Sequence, residues 1–235
     1  MAAENVIPIR TLTANCYLVL GDVPYLVDTN VPKARKKIMR ALSERGLKPA
    51  DLQFILVTHH HYDHTGNVAE LKRLSGARVA AGRMDAPVID GSREQPGPGD
   101  ISPAGRFMRR LPPSWYRRYQ RFDPAGVDMP LRDGDVLAEL GLEVLELPGH
   151  TEGGVAFYHR DGRWAFVGDM VGNILGRPGP PFLSFSYDKE AILRSMGRLA
   201  ELDLDYAFPG HGAALGPGAA GKIGDLRARL SRKWR

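Results

Sequence analysis

The sequence predicts an α/β fold. Three observations carry that prediction: short apolar runs of β type alternate with amphipathic helical stretches, one run passes through a polar loop straight into a helix, and turn residues close the runs. With 235 residues the chain can bury a substantial core without disulfides or metal staples. Glycine (27) and proline (18) together make up too small a share for a low-complexity chain, so it should fold.

The chain opens on short strands, with apolar runs at Cys16 to Leu20 and Tyr25 to Val27 split by the turn residues Gly21 and Asp22. From Lys33 to Arg45, Ile38, Ala41 and Leu42 fall at helical spacing, and Gly46 supplies the stop. Gln53 to Val57 reads as a buried strand that runs into ThrHisHisHisTyrAspHis, and Gly66 to Leu74 returns to helical periodicity. Gly91 to Gly105 holds seven Gly or Pro and reads as a connection. Strands are expected at about Val136 to Leu147, Val155 to Tyr158, Trp164 to Val167 and Tyr206 to Phe208. Helices are expected from about Lys189 to Leu202 and from about Ile223 onward. No repeat or domain boundary is evident, so 1–235 reads as one domain with an insert at about 84–130.

The chemistry concentrates in His59, His61, Asp63 and His64, a His-x-His-x-Asp-His cluster closing a strand. A spacing of two in extended chain points side chains to one side. His59 and His61 can therefore share one metal while Asp63 and His64 turn toward a neighbouring one. A histidine-rich accident is the competing reading. Against it stand three further ligand-type residues in Gly-flanked turns after apolar runs: His150 in LeuProGlyHisThr, Asp169 in PheValGlyAspMet and His211 in PheProGlyHisGly. Imidazole and carboxylate suit zinc, and also iron or manganese. The single cysteine, Cys16, excludes a disulfide framework and cysteine-rich metal sites, and reads as a small buried strand residue. His60 should point away from the metals, and His159 reads as part of a surface turn.

Through ThrHisHisHisTyrAspHis, GlyHisThr, GlyAsp and GlyHisGly, in that order, the chain resembles the metallo-β-lactamase superfamily from about Asn15 to Gly212. The resemblance implies an αββα sandwich of two mixed sheets with helices outside and ligands gathered at one edge. It implies two divalent ions, with zinc expected first: His59, His61 and His150 hold one, Asp63, His64 and His211 the other, and Asp169 bridges them. It also implies a metal-bridging hydroxide as nucleophile, with Asp63 as the catalytic residue that orients it. Asp28, in TyrLeuValAspThr, matches an aspartate that supports the metal loop from behind. A structural turn aspartate is the competing reading.

Asp169 points to the glyoxalase II, lactonase, phosphodiesterase and iron-dependent branches, because the antibiotic-hydrolysing branch typically lacks it. His61 stands where the flavodiiron branch has Glu. Only 24 residues follow His211, fewer than the helical region with which glyoxalase II binds glutathione. Met170, Val171 and Gly172 fill the stretch where lactonases carry a tyrosine, so that contact is either missing or supplied from elsewhere, with Tyr187 the candidate. The expected function is hydrolysis of an ester, thioester or lactone. The alternatives are phosphodiester or phosphotriester cleavage or nuclease action on the same metal pair, and mononuclear-iron persulfide dioxygenase chemistry.

The net charge of +5 is unevenly spread. Ala104 to Arg121 carries six arginines and no acid, and Lys222 to Arg235 carries six bases and one acid, which leaves the rest of the chain acidic. The first basic segment is also aromatic, with Phe107, Trp115, Tyr116, Tyr119 and Phe122. Ser114 is expected to cap a short helix with Trp115, Tyr119 and Phe122 on one face. A lid over the site, contacting substrate through Phe107, Trp115, Tyr116 and Tyr119, is the favoured reading. Simple packing or a homodimer contact competes with it. The basic C-terminal run reads as a solvated helix face. A small-molecule substrate is expected rather than nucleic acid, since no added nuclease motif is visible. No apolar stretch reaches the ~20 residues of a membrane span, and MAAENVIPIR lacks a signal-peptide layout, so a cytoplasmic protein is expected.

Overall fold

The structure is a computed structural model that describes residues 5–117 and 120–234. Its strands, in chain order, are β1 (Val6–Arg10), β2 (Asn15–Val19), β3 (Tyr25–Val27), β4 (Phe54–Val57), β5 (Arg78–Gly82), β6 (Met129–Leu131), β7 (Val136–Leu137), β8 (Leu142–Glu146), β9 (Val155–His159), β10 (Trp164–Gly168), β11 (Gly172–Ile174), β12 (Arg177–Gly179) and β13 (Tyr206–Pro209). The helices are α1 (Arg35–Ser43), α2 (Tyr62–Thr65), α3 (Val68–Ser75), α4 (Ala86–Ile89), α5 (Pro103–Met108), α6 (Pro113–Arg117), α7 (Lys189–Ala200) and α8 (Ala219–Lys233).

Two mixed sheets form. One runs β1-β2-β3-β4-β5-β6, antiparallel as far as β3 and parallel from there; the other runs β13-β10-β9-β8-β7, with only β13 parallel to its neighbour. A hairpin of β11 and β12 stands apart.

The strand period of two assigns each residue to a layer. In β4, Phe54 and Leu56 enter a core shared with the second sheet, while Ile55 and Val57 enter a core shared with Ile38 and Leu42 of α1 and Leu71 of α3. In β10, Trp164 and Phe166 enter the inter-sheet core, while Ala165 and Val167 meet Ile192 and Met196 of α7 and Ile223 and Leu226 of α8. Three apolar cores thus separate four layers, helix, sheet, sheet, helix. Strands covered on both faces read as unbroken apolar runs, which is why β4 and β10 stand out in the sequence. Phe166 lies 5.2 Å from Tyr17 and 5.3 Å from Phe208 between ring centroids, contacts worth ~0.5–1.5 kcal/mol each beyond their burial.

Several local expectations are revised. The segment expected as one strand from Val136 to Leu147 is two strands around a 3-10 turn at Ala138–Leu140, because Gly141 takes a left-handed φ of 65°. β1 carries Pro8 mid-run, which weakens its strand signal; it is tolerated because β1 is an edge strand. The C-terminal helix begins at Ala219, ahead of Ile223. In the arginine-rich insert, α6 ends at Arg117, so Gln120 and Phe122 lie outside it. Ser114 sits inside α6, and the serine that caps a helix here is Ser102, whose Oγ accepts from the Gly105 amide at the start of α5. His159 is not in a surface turn: its ring stacks on Trp164 at 4.7 Å and 15°, and its Nδ1 accepts from the Gly162 amide. No helix among the described residues is long and apolar enough to cross a membrane.

Candidate metal centre

Strand direction explains why the chemistry gathers where it does. β8, β10 and β13 run the same way, so the turns after them carry His150, Asp169 and His211 to one edge of the second sheet. β3 and β4 are parallel, and their C-terminal ends deliver Asp28 and the His59–His64 loop from the first sheet. Ligands outside the carboxyl ends of strands are the expected outcome for such sheets.

Among the described residues, three sets of side chains offer donor atoms within 4.8 Å of one another: His59, His61 and His150; Asp63, His64 and His211; and His59, His64 and Asp169. Asp169 lies between the first two. Its Oδ2 is 3.5 Å from His150 Nε2 and 2.9 Å from His211 Nε2, and its Oδ1 is 3.3 Å from His64 Nε2. Asp63 faces the second set, 3.6 Å from His211 Nε2 and 4.0 Å from His64 Nε2.

Behind these atoms, hydrogen bonds fix the rings. The Thr58 hydroxyl donates to Asp28 Oδ2 at 2.8 Å and therefore accepts from His59 Nδ1 at 3.1 Å. The Ser186 hydroxyl donates to the Phe182 carbonyl and accepts from His150 Nδ1 at 2.8 Å. His64 Nδ1 donates to Asp28 Oδ2 at 2.8 Å. Each bond places a proton on Nδ1 and turns Nε2 inward, where its lone pair is available once any proton on Nε2 has left. Nε2 of His59, Nε2 of His64 and Oδ1 of Asp169 are buried with no hydrogen-bond partner. Buried polar atoms left so are costly, and a divalent cation is the group their donor chemistry fits.

The electrostatics agree. Burial, aided by the His64 charge, holds His59 well below the ordinary imidazole range, and burial takes His150 down to about 4. Burial also opposes a charge on His64 and His211, but the surrounding carboxylates, Asp169 above all, outweigh it and raise both. Asp63 is raised by burial. Neutral imidazoles on one side and carboxylates neutralised by imidazolium on the other are a set from which a cation displaces protons.

Asp28 both turns and supports: it takes a left-handed φ of 57° and accepts from His64, from the Thr58 amide and from the Thr58 hydroxyl. His60 points away, with Nδ1 3.1 Å from buried Asp85. A cavity of about 360 Å³ opens over the centre, lined by Asp63, the three histidines His61, His150 and His211, and Trp115 and Tyr116 from the insert. Phe107 is 63% exposed and does not line it, because the same helix turns Met108 inward. Tyr187 lines a separate hollow of about 80 Å³ beside His60, His61 and Arg93. Tyr119 lies outside the described residues. Phe182, Phe185, Met108 and Gln120, which also line the main cavity, carry no periodic signal that sequence reading could use. Asp85 was missed as well. It accepts from the His60 amide, the Thr151 hydroxyl and the Gly153 amide, tying the loop of His59 and His61 to that of His150. Cys16 is buried in β2, and burial pushes its thiol up.

A sequence family described as the metallo-beta-lactamase superfamily matches residues 9–211. The chain belongs to the metallo-beta-lactamase superfamily. Within the superfamily it is 36% identical over 144 residues to a hydroxyacylglutathione hydrolase of Cereibacter sphaeroides, an alignment covering 60% of this chain and 41% of that protein. The chain thus spans about two fifths of the length of that curated relative. Along nearly its whole length it is 26% identical to the probable metallo-hydrolase YflN of Bacillus subtilis, covering 98% of this chain and 92% of that protein. Among solved superfamily structures, TTHA1623 in a di-iron-bound form superposes with a TM-score of 0.66 at 30% identity, covering 95% of this chain and 96% of that one.

Proposed function

We propose that the chain is a dinuclear metal-dependent hydrolase that cleaves an ester, thioester or lactone. His59, His61 and His150 would hold one divalent ion and Asp63, His64 and His211 the other, with Asp169 placed between the two sets. The observation that carries this reading is the Asp169 carboxylate, whose two oxygens reach histidines of both sets at 2.9–3.5 Å. A bound metal pair supplies Lewis acidity for the acyl oxygen and an acidified water.

The chain's own groups do the rest. Asp63 faces the cavity beside His211 and His64, where its carboxylate would orient the attacking water. Asp28, Thr58 and Ser186 keep the imidazoles in the tautomer that presents a lone pair. Apolar side chains around the cavity limit water.

Relatives named as hydrolases support the reaction class. Histidine and carboxylate donors favour zinc, and the di-iron form of TTHA1623 supports iron as the competitor. A small-molecule substrate is favoured over nucleic acid, because no Lys or Arg lines the cavity among the described residues.

Metal analysis of protein loaded with zinc or iron, followed by a panel of lactones, thioesters, aryl esters, phosphotriesters and phosphodiesters, tests the proposal. Two metals per chain and turnover within the acyl group of substrates are expected. Preference for phosphodiesters, or one iron per chain with oxygen uptake on glutathione persulfide, would overturn it.

A further inference from the structure

The cavity over the metal centre has a wall built by residues 182–186. Phe182 meets His211 edge-on at 5.3 Å, Phe185 meets His61 edge-on at 6.1 Å, and Ser186 holds His150. One short segment therefore touches members of both ligand sets.

This wall is locked in place. The Gly99 amide donates to the Ser184 carbonyl at 2.8 Å, and a Cβ on Gly99 would lie 1.7 Å from the Ser186 carbonyl oxygen. The segment leading into α5 is thus seated directly on the wall, and α5 and α6 contribute Met108, Trp115 and Tyr116 to the same cavity. Apart from the candidate ligands, the cavity's polar lining includes Thr13, Tyr62, Tyr116 and Gln120, all uncharged. The chain has 32 Lys and Arg, yet none lines the cavity among the described residues. An anionic acyl chain would lose hydration along these walls and gain no cationic side chain among the described residues, whereas an apolar one gains with every buried methylene.

We infer that the site selects an uncharged, apolar acyl group, a medium-length alkyl or aryl chain, and that Phe182 and Phe185 are the residues that set this selectivity. The inference rests on the hydrolase reading and names its substrate class.

Two measurements on the metal-loaded full chain separate the two claims. The first is kcat/KM on p-nitrophenyl esters from acetyl to dodecanoyl, with succinyl and glutaryl esters and S-lactoylglutathione beside them. It should rise up to roughly fourfold per added methylene until the cavity is full. The dicarboxylic esters should be at least tenfold poorer than neutral esters of equal length. The second is calorimetric binding of the methyl ketones butan-2-one to dodecan-2-one, which carry the acyl carbonyl without a leaving group. Their affinity should climb over the same range of lengths. Phe182→Ala and Phe185→Ala should each cut the octanoyl-to-acetyl ratio at least tenfold, while Phe185→Leu restores most of it. Turnover with no length dependence, or with a preference for the charged acyl groups, overturns the inference and leaves the hydrolase standing. Ketone binding that follows length without any ester, thioester or lactone turnover supports the apolar site and overturns the hydrolase. Ketone affinity that is flat with length overturns the inference in either case.

Discussion

Nδ1 of His64 donates to Oδ2 of Asp28 at 2.8 Å, and both side chains are buried. The bond joins the end of β3 to the loop after β4 and turns Nε2 of His64 toward Asp169. Asp28→Ala removes the acceptor and frees the ring. Affinity for the ion held with Asp63 and His211 should fall ~10–100-fold, as is usual when such a supporting carboxylate is lost. Chelator competition on the variant reads this directly, and unchanged affinity would remove Asp28 from the site.

Metal binding should itself depend on pH. His64 and His211 hold protons more tightly than ordinary imidazoles because Asp169 and its neighbours stabilise their charge. Cations must displace those protons, so affinity should weaken as pH falls and each binding event should release protons. Titrations in two buffers of different ionisation enthalpy at pH 6, 7 and 8 measure both quantities. Added zinc should also raise Tm, by about 2.7 kcal/mol of stability at a hundredfold excess over Kd.

Asp85 is predicted to act on stability. It is fully buried, and its carboxyl lies below the usual range: burial pushes it up, but His60 and the donors around it more than compensate. A carboxylate with a depressed folded pKa contributes stability above its unfolded pKa, ~3.9, and loses it as pH falls through the folded value. Asp85→Ala leaves the His60 amide, the Thr151 hydroxyl and the Gly153 amide without acceptors, at ~1–3 kcal/mol for each donor that stays buried. Denaturant unfolding at pH 7 should show a loss of several kcal/mol. Below pH 4 the gap between the two proteins should narrow.

Gly210 offers a test of geometry without removing any ligand. A Cβ there would lie 2.2 Å from Asp169 Oδ1 and 2.5 Å from His64 Cε1. Gly210→Ala must therefore displace one of them. Turnover should fall at least a hundredfold, since even ~1 Å of misplacement has that effect. A circular dichroism spectrum like that of the wild type would show that the fold has not paid for it.

The histidine-aspartate residues could be read from the chain because four of them share one tight cluster after β4 and His150, Asp169 and His211 each follow a strand in a glycine-flanked turn, local patterns that survive without knowing what packs where. The α/β class was legible too, since strands buried on both faces must be apolar throughout and helices buried on one face must be periodic, whereas the four-layer order was expected only through the family resemblance. The supporting and substrate-facing groups were not. Asp85, Ser186, Phe182 and Phe185 acquire their roles only through neighbours far along the chain: Asp85 through His60 and Thr151, Phe185 through His61. Helix α5 shows the same limit, since sequence put Phe107 and Met108 side by side and only packing turned one to solvent and the other into the cavity. By itself the sequence determined the fold class and the candidate donor residues, because period and turn chemistry are local. The tertiary structure decided the orientation of the His59, His64 and His150 rings, the clamp between the loops of His59 and His150 and the apolar character of the cavity, because those depend on contacts between elements that sequence order does not specify.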